Sequence, residues 1–467
     1  MALVGNLRVA SDKSITHRAI ILSSMAVGGT TIYRPLLCED TMATVDMCRA
    51  LGVKITIDAD EEVMVVESPG HAGFTAPEGV LWAGNSGTTA RLMMGVLATM
   101  PFDSVIDGDE SLRRRPMGRV AGPLGSMGAK IELSEEGGLP AKIKGVKWIK
   151  AITFDMSVAS AQVKSAIMLA SLRAIVYPDL IIREFGYSRN HTERMLREFG
   201  ISVGLNSEGI TIISGQALES PGEIHVPADI SSAAFFMVAA LLIPGSDIVL
   251  TQVGANPTRR GILSVAYSMG ADIEILDEGV VSGEPFCDIR VKYTSEFIPA
   301  TIDEKLVPKL IDEIPILALL MARADGVSVI RDAAELRVKE SDRIKTTVNL
   351  LNNFEVDIYE NIDGLTIYGS RWRLFYPANK EVDPQGDHRM AMLLHVVSLL
   401  TNEEFQIKNP DCINVSYPNF FQDFDNLKEK PGRINSPKSY RTYLYVDEYE
   451  YEADEFLYEL YDIKNEF

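Results

Sequence analysis

A chain of 467 residues, 46% hydrophobic and 24% charged, is long enough for two or three domains with substantial cores and has the composition of a globular protein. Its formal net charge of -20 argues against gripping a nucleic-acid backbone, which needs clustered Lys and Arg, but it leaves room for a local basic cleft around a small anion. The cysteines Cys38, Cys48, Cys287 and Cys412 form no CxxC pair, the histidines form no HExxH, and no apolar run is long enough to cross a bilayer, so no disulfide framework, zinc site or membrane span is expected.

The chain starts MALVGNLRVASDKS, which is neither a basic-then-apolar signal peptide nor an Arg-rich transit peptide, and a reducing cytosol is the expected location. Six stretches then open with small polar residues and run on apolar. They are SDKSITHRAIILSSMA from Ser11, NSGTTARLMMGVLATM from Asn85, ASAQVKSAIMLASL from Ala159, ADISSAAFFMVAALL from Ala228, DEIPILALLMARA from Asp312 and GDHRMAMLLHVVSLL from Gly386. Helices this apolar are buried on most faces, and their polar starts are N-cap signals. In counterpoint, five helix-like runs turn at a tight residue and continue as alternating β-type sequence. These are ALGVKITI from Ala50, SMGAKIEL from Ser126, EFGISVGL from Glu198, SMGADIEI from Ser268 and NFEVDIYE from Asn353. A glycine at a helix end followed by period-two alternation predicts a C-cap feeding a strand. The turning residues are Gly52, Gly128, Gly200, Gly270 and, in the fifth place, Glu355, spaced 70 to 85 residues apart. Six such α/β units predict two domains of three units each, with the first half ending near PGEIHVPAD. From Lys428 the chain is acidic, Tyr-rich and outside the repeat, and carries no visible chemistry.

The open N-terminus of a buried helix is an anion site, because its first amides are unpaired and its dipole is positive there. The first helix start carries Lys13, Ser14 and Arg18, the second Asn85, Gly87, Thr88 and Arg91, the third Ser160 and Gln162, and the sixth Arg389. Any one of these alone reads as a capped core helix; their recurrence points to one pocket, if the ends converge. GNSGTT lacks the Gly-Lys-Ser/Thr ending of a P-loop, so ATP is not indicated. Loops add DESLRRRPMGR with Arg113, Arg114 and Arg115, YSRNHTERM with Ser188 and Arg189, and RVKESDRIKT with Arg337, Lys339, Glu340, Asp342 and Arg343. Asp312 and Glu313, at the start of IDEIPILALLMA, are either plain caps or acid–base groups beside a substrate hydroxyl.

LWAGNSGTTARLMMG and RVKESDRIKT are similar to the two signature motifs of the 5-enolpyruvylshikimate-3-phosphate synthase family. SDKSITHRA, DESLRRRPMGR, SAQVKSAIMLASL, SRNHTERML, IDEIPILA and DPQGDHRMAM resemble that family too, in its order, from about Leu7 to about Leu427. The resemblance implies an enolpyruvyl transferase-like fold of two inside-out α/β domains, each of three βαβαββ repeats. One domain would span 13–227 and the other 1–12 plus 228–427, leaving 428–467 as an extra tail. It implies transfer of the enolpyruvyl group of phosphoenolpyruvate to shikimate 3-phosphate in aromatic amino-acid synthesis, by a cytoplasmic monomer without metal or organic cofactor. By motif match, Lys13, Ser14, Arg18, Ser160, Gln162, Arg189, Asp312 and Lys339 would hold shikimate 3-phosphate. Lys13, Gly87, Arg115, Gln162, Arg343 and Arg389 would hold phosphoenolpyruvate, and Asp312, Glu340 and Lys13 would carry the catalysis. The basic groups are split between the halves, so two facing positive surfaces are expected to hold the halves apart.

Three departures stand out. Ala10 and Ser11 replace a usual Pro-Gly; Val415 stands where many members carry a phosphate-contacting Lys; and the tail is extra. The nearest rival, UDP-N-acetylglucosamine enolpyruvyl transferase, typically carries a reactive Cys in the loop equivalent to DESLRRRPMGR, where this chain has none.

Overall fold

The computed structural model describes residues 2–174, 179–184, 188–206, 209–212 and 214–428; the tail beyond Lys428 lies outside the described residues. All six apolar stretches are helices: Lys13–Met25, Gly87–Leu97, Ala161–Ser171, Ile230–Leu242, Ile314–Met321 and His388–Leu400. The fourth is buried at every one of its 13 positions, as a helix apolar all round must be. Small residues let these helices approach closely: a Cβ added to Gly95 in the second would lie 2.3 Å from the Ala166 carbonyl oxygen in the third. Five start with a side-chain cap, in which Asp12, Ser86, Ser160, Asp229 and Asp387 accept from amides of the first turn. The fifth has Pro315 in its first turn and no side-chain cap, so neither Asp312 nor Glu313 is a plain cap.

The second helix type also appears as expected, at Glu39–Ala50, Gly118–Ser126, His191–Glu198, Gly261–Ser268 and Arg343–Asn352. Each turns through a left-handed residue into a strand. The φ values are 92° at Gly52, 107° at Gly128, 80° at Gly200, 86° at Gly270 and 60° at Glu355. The glutamate adopts the backbone that its four counterparts take without a Cβ.

Among the described residues, five four-stranded sheets share one plan. The strand before a buried helix lies parallel to the strand after it, and a hairpin adds two antiparallel strands. Leu81–Trp82 beside Ser104–Asp107, Thr153–Met156 beside Leu180–Glu184, and Thr301–Ile302 beside Gly326–Ile330 are such parallel pairs. At two places the pairing is exchanged. Val4–Leu7 precedes the first buried helix but pairs with Asp247–Gly254, which follows the fourth. Glu223–His225 precedes the fourth but pairs with Val27–Tyr33, which follows the first. The two exchanging segments meet at a bridge between Ser11 and Ala228, with Asp12 N–H donating to Pro227 O and Asp229 N–H to Ala10 O, each at 2.8 Å. The buried apolar residues accordingly form two clusters, one from Ile15 to Val226, the other from Leu3 and Val9 plus Ala228 to Leu427.

The sixth unit is shorter. Among the described residues its sheet has only Glu381–Val382 and Gln406–Ile407, and the helix Phe420–Leu427 follows in the chain where the other units continue into a hairpin. Phe424 stacks on Phe236 at 4.1 Å, so aromatic packing closes the core there. No helix among the described residues is long and apolar enough to cross a membrane.

A non-glycine residue in the left-handed region costs about 1 kcal/mol. Glu355→Gly is therefore expected to raise the stability by roughly that amount, read as a higher urea midpoint at unchanged slope.

Candidate active site

The N-terminal ends of all six buried helices line one cavity of about 380 Å³, a volume suited to small ligands. Lys13 and Ser14 come from the first helix start, Gly87, Thr88 and Arg91 from the second, and Ser160 and Gln162 from the third. Asp229, Asp312 and the His388–Arg389 pair come from the fourth, fifth and sixth. Each end brings a partial positive charge of about +0.5 and unpaired amides, so the site is preset for anions.

Loops between the helices complete the wall with Arg115, Arg119, Ser188, Arg189, Glu335, Lys339, Glu340 and Arg343. Of the arginine triplet, Arg113 pairs with Asp107 at the surface, and only Arg115 turns inward. Arg115 donates to Asn85 Oδ1 at 2.5 Å and reaches Glu340 at 3.4 Å. Gly87 borders this corner: a Cβ there would lie 2.8 Å from Arg91 NH1 and 3.3 Å from Arg115 NH1. Gln162 links the second and third helices, accepting from Arg91 at 2.7 Å and donating to Thr88 at 2.9 Å.

Asp312 is the most heavily compensated carboxylate. Arg189 lies 2.5 Å away, Arg343 3.2 Å, Lys339 3.3 Å and Arg389 3.9 Å. Burial alone would raise its carboxyl, but Lys339, Arg189, Arg389 and Arg343 together hold it well below the usual range. Glu340 is governed the same way: burial is outweighed by Arg343, 2.6 Å away, and Arg115, with smaller help from His388 and Lys339. Both carboxylates are therefore ionised, and they flank a single guanidinium. Lys13, despite burial, is kept charged by Asp40 at 2.8 Å. Lys339 is lowered, mainly by burial.

All the residues expected in the site line this cavity except Arg18. The Arg18 guanidinium lies behind the wall, donating to Ser14 O at 2.9 Å, Thr192 Oγ1 at 2.7 Å and Ser165 Oγ at 2.8 Å. It stiffens the Ser14 turn from within the core. Val415, half-buried at the end of the short helix Pro410–Val415, does not line the cavity.

The expectation of two facing positive surfaces is not met. Among the described residues nine cationic side chains line the cavity, but seven carboxylates stand among them, and the ion pairs Arg115–Glu340, Arg119–Glu335 and Arg189–Asp312 run from one half to the other. Opposite charges, and not like charges alone, face each other across the cleft. Sequence reasoning also missed Asp40 beside Lys13, Asp387 behind Arg343, the buried Arg259, and His388, whose ring burial pushes down to about 3. One signal was available for three of the carboxylates involved. Asp12, Asp229 and Asp387 occupy the same repeat position as helix caps, and each also pairs with a buried arginine.

Residues 1–424 match the family described as EPSP synthase (3-phosphoshikimate 1-carboxyvinyltransferase). The chain belongs to the EPSP synthase family. It is 48% identical over 421 residues to 3-phosphoshikimate 1-carboxyvinyltransferase of Staphylococcus aureus (strain bovine RF122 / ET3-1), covering 90% of this chain and 95% of the relative. Identity to the enzyme of the strain COL is 47%, with the same coverage. Among solved structures, EPSP synthase from Acinetobacter baumannii superposes with a TM-score of 0.80 at 39% identity, covering 91% of this chain and 96% of that one. The enolpyruvyl transferase NikO from Streptomyces tendae shares the fold, with a TM-score of 0.73 at 14% identity and coverage of 91% and 95%. No cysteine is among the described residues lining the cavity of this EPSP synthase family member.

Gly87→Ala places a methyl against the Arg91 and Arg115 guanidiniums, both ends of flexible side chains. The fold is expected to survive, and KM for phosphoenolpyruvate to rise about tenfold while kcat falls less. Steady-state kinetics with each substrate varied in turn reads this out.

Proposed function

We propose that the cavity holds shikimate 3-phosphate and phosphoenolpyruvate side by side and joins them. The enolpyruvyl group moves to the 5-hydroxyl and phosphate leaves. The observation that carries this reading is the convergence of six helix N-termini and a fan of guanidiniums on two ionised carboxylates, Asp312 and Glu340, that share Arg343. Lys13, Ser14, Ser160, Gln162, Arg189, Asp312 and Lys339 bind shikimate 3-phosphate, with Arg18 supporting Ser14 from behind. Lys13, Gly87, Gln162, Arg115, Arg343 and Arg389 bind phosphoenolpyruvate, whose carboxylate and phosphate suit planar, bidentate guanidiniums.

The reaction is an addition followed by an elimination. The 5-hydroxyl oxygen bonds to the vinyl carbon that bears the phosphate, the methylene carbon takes a proton to become methyl, and the hydroxyl gives its proton to a base. The carbon–oxygen bond to phosphate then breaks, and the methyl returns a proton as the double bond re-forms. Asp312, ionised, is the base for the hydroxyl, and it gains basicity as the substrate anions engage the four cations that now hold its carboxyl down. Lys13, charged, and Glu340 serve the methyl carbon. Glu340 is ionised only because Arg343 and Arg115 face it. When the phosphoenolpyruvate anion takes up those guanidiniums, burial raises the Glu340 carboxyl toward a proton-carrying state.

The two bodies, 13–227 and 1–12 plus 228–427, close over both substrates. In this reading each substrate anion replaces a carboxylate partner in the ion pairs that already span the cleft. A reducing cytoplasm accords with four free cysteines, three of them buried.

Phosphate release from phosphoenolpyruvate is expected to require shikimate 3-phosphate and to ignore UDP-N-acetylglucosamine; release with the sugar nucleotide instead refutes the assignment. Turnover in heavy water separates the carboxylates. Glu340→Gln is expected to lose deuterium uptake into the vinyl position, whereas Asp312→Asn keeps substrate binding and fails at bond formation. Normal uptake in Glu340→Gln together with its loss in Asp312→Asn reverses the two roles.

A further inference from the structure

Lys13, Asp40 and Gly87 stand at the starts of three different helices, and one buried chain of hydrogen bonds joins those helices behind them. His17, one turn beyond Lys13, places Nδ1 2.7 Å from Thr44 Oγ1. Thr44 lies one turn beyond Asp40, and its hydroxyl is 2.7 Å from Thr89 Oγ1. Thr89 Oγ1 donates to Ser86 Oγ at 2.7 Å and also lies 3.3 Å from the Asp40 carbonyl oxygen. Ser86 is the cap of the helix that Gly87 begins. His17, Thr44 and Thr89 are fully buried, and Ser86 nearly so.

Packing alone does not ask for polar groups here. A buried hydroxyl or imidazole costs free energy unless it is hydrogen-bonded, and apolar side chains of the same size would fill the space without needing any of these bonds. What the polar chain adds is direction. His17 is neutral, because burial, with Lys13 and Arg18 nearby, holds it well below its ordinary value. A neutral ring has one donor nitrogen and one acceptor. Nε2 is buried without a protein partner, and orphaned buried N–H groups are rarer than orphaned acceptors. With the proton on Nδ1, the tautomer that leaves the buried Nε2 an acceptor, the chain runs donor to acceptor from His17 through Thr44 and Thr89 to Ser86. Each hydroxyl has one proton to give, so a shift of any one helix along its axis breaks a link.

We propose that His17, Thr44 and Thr89 are positioning residues for the phosphoenolpyruvate corner of the cleft. They fix how the starts of the three helices meet, and with that the place of the Lys13 ammonium, held by Asp40 at 2.8 Å, relative to Gly87. This rests on the reading above that Lys13 and Gly87 bind phosphoenolpyruvate.

Thr44→Val keeps the shape and removes the middle hydroxyl, and Thr44→Ser restores it. In Thr44→Val, KM for phosphoenolpyruvate is expected to rise about tenfold, while the affinity for shikimate 3-phosphate alone, by calorimetry, stays within about twofold of the parent. Thr44→Ser is expected to return KM to the parent value. Nitrogen NMR of the parent is expected to show the His17 proton on Nδ1, and Thr44→Val to lose that signature. An unchanged KM in Thr44→Val, an equal rise in Thr44→Ser, or a His17 proton on Nε2 in the parent overturns the proposal. Thr89→Val cuts the next link and carries the same expectations should Thr44→Val fail to fold. The nitrogen readout needs no turnover, so it separates failure of this proposal from failure of the proposed activity.

Discussion

A helix buried on nearly every face still carries unpaired groups at its ends, and the rest of this structure depends on where those ends go. Six helices here are of that kind, and their first amides have no partner within the helix. Side-chain caps satisfy some of them, but the dipole remains. The recurring plan, a strand, a buried helix and a parallel strand, sends each helix the same way relative to its sheet. Repeating that unit around two cores brings all six positive ends to one cavity. The anion site is thus a consequence of the architecture before any basic side chain is counted.

The basic side chains are not left to face one another. The chain as a whole carries a net charge of -20, and the cleft supplies its own counterions. Arg343 is surrounded by Asp312, Glu340 and Asp387, the last wholly buried, and its guanidinium is held firmly in the charged state. An uncompensated buried guanidinium would cost several kcal/mol, so these carboxylates are structural necessities as well as acid–base candidates. The same arrangement links binding to chemistry. In the proposed reaction, a substrate anion that engages Arg343 or Arg115 would do so in place of a carboxylate, and so would change the field at the group proposed to move a proton.

Much of this was legible in the chain. The apolar stretches with polar starts fell on the six buried helices, and the period of the turning residues was regular enough to expose Glu355 as a stand-in for glycine. What was not legible has a common cause: it depends on which segments become neighbours. Val4–Leu7 and Glu223–His225 look like any other short strand, and nothing in either says that they have exchanged partners. Arg18 and Lys13 lie on one helix start, yet one points into a nest of hydroxyls and the other into the cleft. Glu335 and Arg119, unremarked in sequence, meet across the cleft at 2.7 Å. The short sixth sheet was hidden because its buried helix keeps the pattern of the other five, while the aromatic residues that replace its hairpin carry no repeat signal.

The exchanged strands explain why a single arginine holds the middle of the molecule. Wherever strands are swapped, the chain must pass twice between the two cores, and both passages end at a helix cap: Asp12 before the first helix and Asp229 before the fourth. Arg259 reaches both carboxylates, at 3.2 Å and 3.1 Å, and also donates to Ser231 at 2.6 Å, with Glu313 beyond it on the same hydroxyl. Its partners keep it charged in spite of complete burial, so the pairing is electrostatic and local. Asp12 immediately precedes Lys13, and Glu313 immediately follows Asp312. The clamp on the two crossings is therefore one residue removed from a proposed substrate ligand on each side, which makes the junction between the halves and the geometry of the reacting groups one continuous network of buried charge.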